Sequence, residues 1–410
     1  MDTPSDSAAA RDASGAQLLA GVGSHPHARA VLASALPPQG RPSHAYLFHG
    51  PSGTGKRTVA RAFAAALLAD GAPDPDGSRV RVARDTHPDL NWVTPSGAAE
   101  MLVGDVDEPV VAAATRTPFE STRRVFVIEA AHTLNDQAAN RLLKTLEEPP
   151  SFVHLLLLSD RREDILPTIA SRCLHVRFDP LPSQAIAERL LAGGGSFTRA
   201  TGRPPSEDDL ARARACARLA LGDARLAEQL ASEQGQALRA AAEGYVRSAL
   251  AGATGERRWT GLLDGAKTAG ACAGEEVAER LDRELELAPG RDRKRLEREA
   301  LDVRRRAERR GRAGALEQAL RLVELWLRDL LCLAEGAPEL VHNLDRLAEL
   351  ERDAASCPGP RARAGIGFVQ DTRLRLALNV SEELALEALA FRLQALDGLR
   401  GCFVLGHSRA

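Results

Sequence analysis

The residues best suited to chemistry are 50–56, which read Gly-Pro-Ser-Gly-Thr-Gly-Lys between a short apolar run and a helical pattern. Gly50, Gly53 and Gly55 allow backbone N–H groups to turn inward toward an anion, and Lys56 adds a positive charge for phosphate oxygens. A Gly-rich surface turn is the plainer alternative, but the strand–loop–helix context disfavours it. The pattern predicts a phosphate-binding loop.

The residues that would complete a hydrolytic site are altered. The position after a P-loop lysine normally carries a hydroxyl that holds Mg²⁺, whereas this chain has Arg57 there and a hydroxyl only at Thr58. One step along a helix turns a side chain by about 100°, so Thr58 is no simple substitute. An apolar strand pattern ends at Glu129, an acid that can hold Mg²⁺, but Ala130 follows where a base for water is expected. The sequence predicts a nucleotide cradle with incomplete chemistry.

Composition limits the classes of protein that the chain can belong to. A length of 410 residues predicts two or three domains. The chain is 44% hydrophobic and 27% charged with a net charge of −2, which is typical of a globular protein and excludes a polycation. We find no targeting pattern in residues 1–16 and no apolar run long enough to span a bilayer, so we expect a cytoplasmic protein without membrane contact.

Strand and helix patterns alternate up to residue 180, which predicts a parallel sheet covered on both faces. Beyond residue 180 only helical patterns occur. Residues 70–88 are predicted to be a connecting loop because they are rich in Gly, Pro and Asp. The predicted strands are 45–49, 91–94, 124–129, 154–159 and 174–178; the predicted helices include 57–68, 105–116, 135–147, 183–193, 206–219, 223–250, 315–333, 338–354 and 381–396.

The segment 275–315 is dense in charge and allows two interpretations. Its arginines are interleaved with acids and it lacks aromatic residues that would stack on bases. A solvated helix face with i,i+4 ion pairs is favoured over a DNA-binding surface.

Three longer motifs carry a family resemblance. They are His-Ala-Tyr-Leu-Phe-His-Gly-Pro at 44–51, Asn-Asp-Gln-Ala-Ala-Asn-Arg-Leu-Leu-Lys-Thr-Leu-Glu-Glu-Pro-Pro at 135–150, and Leu-Pro-Thr-Ile-Ala-Ser-Arg-Cys at 166–173. With them, about residues 20–400 resemble the bacterial clamp-loader AAA+ subunits of DNA polymerase III. The resemblance implies an α/β P-loop NTPase (AAA+) domain with a parallel sheet, followed by an all-α lid and an all-α C-terminal collar. The implied boundaries are 17–180 for the AAA+ domain, 181–250 for the lid and 251–410 for the collar. Residues 1–16, which are rich in Ser, Asp and Ala, are predicted from composition to be a disordered tail.

The resemblance also implies a function and site residues. Arg172, in the Ser-Arg-Cys motif, would be an arginine finger offered in trans to ATP on a neighbouring subunit. Ser159 matches the first sensor position and Arg225 lies near the second. The implied ligand of the degenerate site is ATP or ADP with Mg²⁺, bound through the loop, Thr58 and Glu129. An arginine that merely caps a helix end is the alternative for Arg172.

The implied partners are the gamma/tau and delta subunits, and, through the complex, the sliding clamp and primer-template DNA. The resemblance is to the stator-like subunit of the hetero-oligomer, which binds ATP weakly or not at all and belongs to the nucleotidyltransferase complex by membership only. Two alternatives stay open: an active gamma/tau-type motor with its own ATP turnover, and a helical scaffold that binds no nucleotide.

Zinc provides a test of this interpretation. Subunits of this family commonly carry a four-cysteine zinc module before the segment that matches His87-Pro-Asp, but residues 69–86 contain no cysteine. The cysteines of the chain are scattered and form no CxxC pair. We therefore predict that elemental analysis of the purified chain finds no bound zinc; stoichiometric zinc would contradict the prediction.

Overall fold

The computed structural model describes residues 25–36, 40–96, 100–192, 206–286, 293–378 and 380–396. The chain divides into two compact units. The first is Met1–Pro182 with Gly222–Ala224, and the second is Ser183–Leu221 with Arg225–Ala410. The tail predicted at 1–16 lies outside the described residues. The predicted division of the helical part into a lid and a collar stays a prediction.

The first unit contains a five-stranded parallel sheet, as the alternating pattern predicted. Every pair of neighbouring strands is parallel, so the carboxyl ends of all five strands lie at the same edge of the sheet. In sheet order, β4 lies between β1 and β3, and β1 lies between β4 and β5. The strands are β1 Ala45–His49, β2 Leu90–Val93, β3 Arg124–Ile128, β4 Val153–Ser159 and β5 Leu174–Arg177.

Helices cover both faces of this sheet because successive strand residues point to opposite sides. Tyr46 and Phe48 belong to one buried cluster together with Phe63. Leu47 belongs to the other cluster together with Leu142. The helices of this unit are α1 Pro26–Ala35, α2 Lys56–Ala69, α3 Pro75–Ala83, α4 Val103–Val106, α5 Asp136–Glu147 and α6 Pro167–Ala170.

Two predicted elements of this unit were wrong in part. The predicted loop at 70–88 contains helix α3, which begins after Asp74, whose side chain accepts a hydrogen bond from the Gly77 N–H at 2.9 Å. Asp before Pro75 is a helix start signal that the turn-like composition concealed. The predicted helix at 105–116 is α4 followed by a π-helical turn at Asp107–Ala112.

The second unit is all-helical in its described part, as predicted. The single helix predicted at 223–250 is broken at Ser232, which caps the next helix, and the helix at 359–377 was not predicted. Only the last part of the predicted helix at 338–354 is α-helical. The helices are α7 Ser183–Ala192, α8 Glu207–Leu219, α9 Ala224–Ala231, α10 Glu233–Leu250, α11 Trp259–Glu286, α12 Arg293–Ala334, α13 Leu347–Ala354, α14 Gly359–Ala377 and α15 Glu382–Ala395.

A buried polar network stabilises the second unit. Arg239, which is 2% exposed, donates to both carboxylate oxygens of Asp345 at 2.8 and 2.7 Å and to the Asn343 side chain at 2.8 Å. Asp329, fully buried, accepts hydrogen bonds from the backbone N–H groups of His342 and Asn343, both at 2.9 Å. Because buried charges are costly unless they are paired, these residues have a structural role.

Two further observations concern the charged segment 275–315 and the expectation of no membrane contact. Within the charged segment, Arg304 and Glu308 form an i,i+4 ion pair at 2.9 Å. No helix in the described part of the chain has the length and apolar content to cross a bilayer.

Five buried or half-buried histidines of the first unit predict a pH dependence of its stability. Burial lowers the pKa of His49 to about 4, and also lowers the pKa of four others: His25, His87, His132 and His154. Unfolded histidine has a pKa of about 6.5, so below that pH the unfolded chain binds more protons and acidification favours unfolding. The free energy of unfolding, measured by urea denaturation, should fall as the pH falls from about 6.5 toward 4.

The variant His49→Gln should reduce this pH slope because it removes one of the lowered groups. Stability that is independent of pH in this window would contradict the prediction.

Candidate functional site

The loop at 50–56 connects the end of β1 to the start of α2, as predicted. Its glycines adopt backbone angles that other residues rarely take, with φ of 65° at Gly53 and 89° at Gly55. A Cβ on Gly50 would lie 2.0 Å from the Phe178 carbonyl oxygen. The loop therefore packs closely on the residue that follows β5, and its shape requires glycine.

Lys56 is held by groups of its own unit. Its side chain is 6% exposed and its Nζ lies 2.7 Å from Asp160 Oδ1. The ammonium also donates to the carbonyl oxygens of Gly50 at 2.7 Å and Pro51 at 2.5 Å. A phosphate that takes up Lys56 must therefore displace an ion pair and two hydrogen bonds.

Sheet register explains why Asp160 reaches this lysine. His49 of β1 pairs with Ser159 of β4, so the residues that follow the two strands leave the sheet side by side. Ser159 was predicted as a sensor. Its Oγ donates to the Arg161 carbonyl oxygen at 2.7 Å and lies 3.4 Å from His132 Nδ1, whereas Asp160 makes the contact with Lys56.

A second carboxylate lies on the loop. Ser52 Oγ donates to Asp223 Oδ2 at 2.7 Å, and a Cβ on Gly53 would lie 1.5 Å from Asp223 Oδ1. The Ala224 N–H donates to the Gly53 carbonyl oxygen at 3.3 Å. Asp223 thus covers the middle of the loop with a negative charge, on the same loop that the glycine pattern assigns to anions.

The two positions that would hold Mg²⁺ contact each other instead. Arg57 Nε lies 2.6 Å from Glu129 Oε1, and Trp92 Nε1 donates to the same oxygen at 2.5 Å. A P-loop magnesium ion needs a hydroxyl at residue 57 and a free acid on the neighbouring strand. The residues at these positions do not fit a divalent ion. Thr58, which is exposed, follows Arg57.

Two further observations concern the chemistry of the site. Ala130 has a left-handed backbone with φ of 49° and carries only a methyl group where a base would orient water. Among the residues that the structure describes, no group of three or more His, Cys, Asp or Glu side chains could hold a metal ion.

Arg172 lies at the opposite edge of the sheet. It precedes β5, which runs parallel to β1 with Leu174 opposite Tyr46, whereas the loop follows the carboxyl end of β1. Four strand residues separate the two levels, which is about 13 Å along the strand direction. Arg172 Nη2 donates to Glu147 Oε1 at 2.7 Å, and Nη1 donates to the Thr168 carbonyl oxygen at 2.8 Å.

The sequence motifs therefore mark two separate places in the first unit. The loop, Lys56 and Glu129 lie at the carboxyl edge of the sheet, and Arg172 lies at the other edge. Arg225 belongs to the second unit. Three residues of the site were not predicted from the sequence: Asp160, Asp223 and Trp92. Asp160 directly follows a predicted strand, and this position was a signal that could have identified it as a site residue.

Residues 25–182 match a family model described as DNA polymerase III, delta subunit. The DNA polymerase III subunit delta' of Pseudomonas aeruginosa is 38% identical over 167 residues, which are 40% of this chain and 51% of that protein. The subunit delta' of Bacillus subtilis is 36% identical over 157 residues, 37% of this chain and 46% of that protein.

The match therefore spans about half the length of these curated relatives. Among solved structures, a gamma subunit-related protein of Thermotoga maritima is 17% identical, with a TM-score of 0.40, over 86% of this chain and 94% of that chain.

The ion pair of Lys56 predicts that an acid opposes phosphate binding. Asp160→Asn should tighten ATP binding, measured by calorimetry in EDTA, by about three- to tenfold, because phosphate no longer displaces a carboxylate. Asp164→Asn is the matched control, since Asp164 pairs with Arg161 at 3.2 Å. Equal affinities of Asp160→Asn and wild type would contradict the prediction.

Proposed function

We propose that this chain is a stator-like subunit of a clamp loader, because residues 25–182 match the family model of the DNA polymerase III delta subunit and are similar to two delta' subunits at 38% and 36% identity. In this role it helps to load a sliding clamp onto primer-template DNA during replication. It acts within a hetero-oligomer with gamma/tau and delta subunits. It offers Arg172 to a neighbour's ATP and is itself a weak ATPase or none.

The position of Arg172 is the observation that carries this proposal. An arginine at the amino edge of the sheet is about 13 Å along the strand from the level of the chain's own loop. This separation from the chain's own loop supports a target on a neighbouring subunit. A guanidinium stabilises the negative charge that develops on a transferred phosphoryl group, and its planar fork suits phosphate oxygens.

Glu147 positions Arg172 in the free subunit. The Arg172 side chain is 36% exposed, and its contacts to Glu147 and Thr168 fix the guanidinium at the end of α5 and α6. An exposed ion pair of this kind is weak, worth about 0–1 kcal/mol, so a phosphate can replace it at small cost. The arginine is thus held near its working position and is easily released.

Weak turnover in the subunit's own site follows from the groups described above. Lys56 is engaged by Asp160, Glu129 is engaged by Arg57, and Ala130 offers no base. Hydrolysis depends on positioned water and on charge neutralisation around the phosphates. These losses favour the stator over the gamma/tau-type motor.

The collar role of the last helices has support from their surface. Large apolar side chains stay exposed on or beside α14 and α15, as is common for residues that contact partner subunits. They are Leu374 at 69%, Leu378 at 78%, Leu384 at 62% and Phe391 at 50% exposure.

The arginine finger is tested in a reconstituted loader with gamma/tau and delta subunits. Arg172→Ala should lower the clamp- and DNA-stimulated ATPase rate of the loader. The expected decrease is the fraction of the total rate that the one neighbouring ATP site contributes. At that site, loss of a finger costs about 10³-fold or more in rate. Arg172→Lys should not restore the rate because lysine lacks the planar fork. Single-turnover hydrolysis provides the measurement.

Assembly of each variant is checked by gel filtration. Arg79→Ala is a matched control, since Arg79 is a partly exposed arginine on α3 that pairs with Asp76. Unchanged stimulated turnover in an assembled Arg172→Ala loader would refute the finger. ATPase activity of the isolated chain that Lys56→Ala abolishes would refute the stator role.

A further inference from the structure

The pair between Arg57 and Glu129 occupies the place where a P-loop site normally holds its metal. Arg57 directly follows the loop lysine, and Glu129 directly follows the buried strand β3. The Glu129 side chain is only 14% exposed, and its Oε1 accepts from both Arg57 at 2.6 Å and Trp92 at 2.5 Å. The acid is therefore neutralised within the fold.

Trp92 is placed by the sheet to support this pair. It lies on β2, next to β3, and the Glu129 N–H donates to the Val93 carbonyl oxygen at 2.9 Å. Arg61, one turn after Arg57 on α2, places its guanidinium 4.6 Å from the centre of the Trp92 ring. Such cation–π stacking orients the indole so that its N–H faces the carboxylate.

The same geometry opposes a divalent cation. To bind Glu129, the ion must displace the guanidinium or lie within a few ångströms of it, where like charges repel. Arg57 also cannot act as a metal ligand, because a guanidinium has five N–H donors and no acceptor. One of those donors faces Glu129, and the side chain is 61% exposed, which leaves the other side of the fork accessible to an anion.

We propose that Arg57 replaces the divalent cation, so that the loop takes the phosphates of a nucleoside di- or triphosphate as the metal-free anion. The guanidinium supplies the positive charge that Mg²⁺ supplies elsewhere, and its position is set by Glu129. This inference concerns the subunit's own loop and is independent of the arginine finger. Its failure would leave the test of Arg172 untouched.

The test is calorimetric titration of the full chain with ADP and with ATP, in excess Mg²⁺ and in excess EDTA. Wild type should bind with dissociation constants that differ by less than about threefold between the two conditions. Arg57→Thr removes the cation and restores the hydroxyl ligand. This variant should bind at least about tenfold more tightly in Mg²⁺ than in EDTA.

Two controls separate the role of this charge from a general loss of charge. Arg57→Lys keeps a cation beside Glu129 and should remain indifferent to Mg²⁺. Arg79→Thr removes a charge on α3, where Arg79 pairs with Asp76, and should also respond to Mg²⁺ as wild type does. Circular dichroism and thermal melting verify that each variant is folded.

Three results would overturn the proposal. The first is wild-type binding that weakens about tenfold or more in EDTA. The second is the absence of wild-type binding to either nucleotide in both conditions. The third is an Arg57→Thr chain that is folded but responds to Mg²⁺ no more than wild type does.

Discussion

The parallel direction of all five strands is the constraint on which the rest of the first unit depends. It brings the carboxyl ends of β1, β3 and β4 to one edge, where the loop, Glu129 and Asp160 meet. The same constraint sends Arg172, which precedes β5, to the other edge. One sheet therefore separates the loop and its paired charges from Arg172. An antiparallel β5 would have reversed the position of Arg172 relative to the loop.

Charge at the carboxyl edge is balanced within the protein. Lys56 is paired with Asp160, and Arg57 with Glu129, while Asp223 accepts a hydrogen bond from the loop. Partly buried charges are stable only when they have such partners. Any phosphate that binds the loop must exchange with these pairs.

Local patterns made much of this predictable. The loop, the strand before it, Glu129 and the missing base at Ala130 were read from short runs of sequence. The partners of these residues were not, because contacts depend on strand order and on distant chain segments. Asp223 reaches Ser52 across 171 positions, and Trp92 reaches Glu129 through a neighbouring strand. Helix α3 was missed because Gly, Pro and Asp also build turns, although Asp74 and Pro75 are start signals for a helix.

Strand β5 has a mechanical consequence. The residue after it, Phe178, lies against Gly50, and the residues before it lead back to Arg172. Because β5 is an extended strand, its length sets the distance between the loop at one end and Arg172 at the other. In this chain the loop is held by its own ion pairs, so both ends of this fixed distance are set within the first unit.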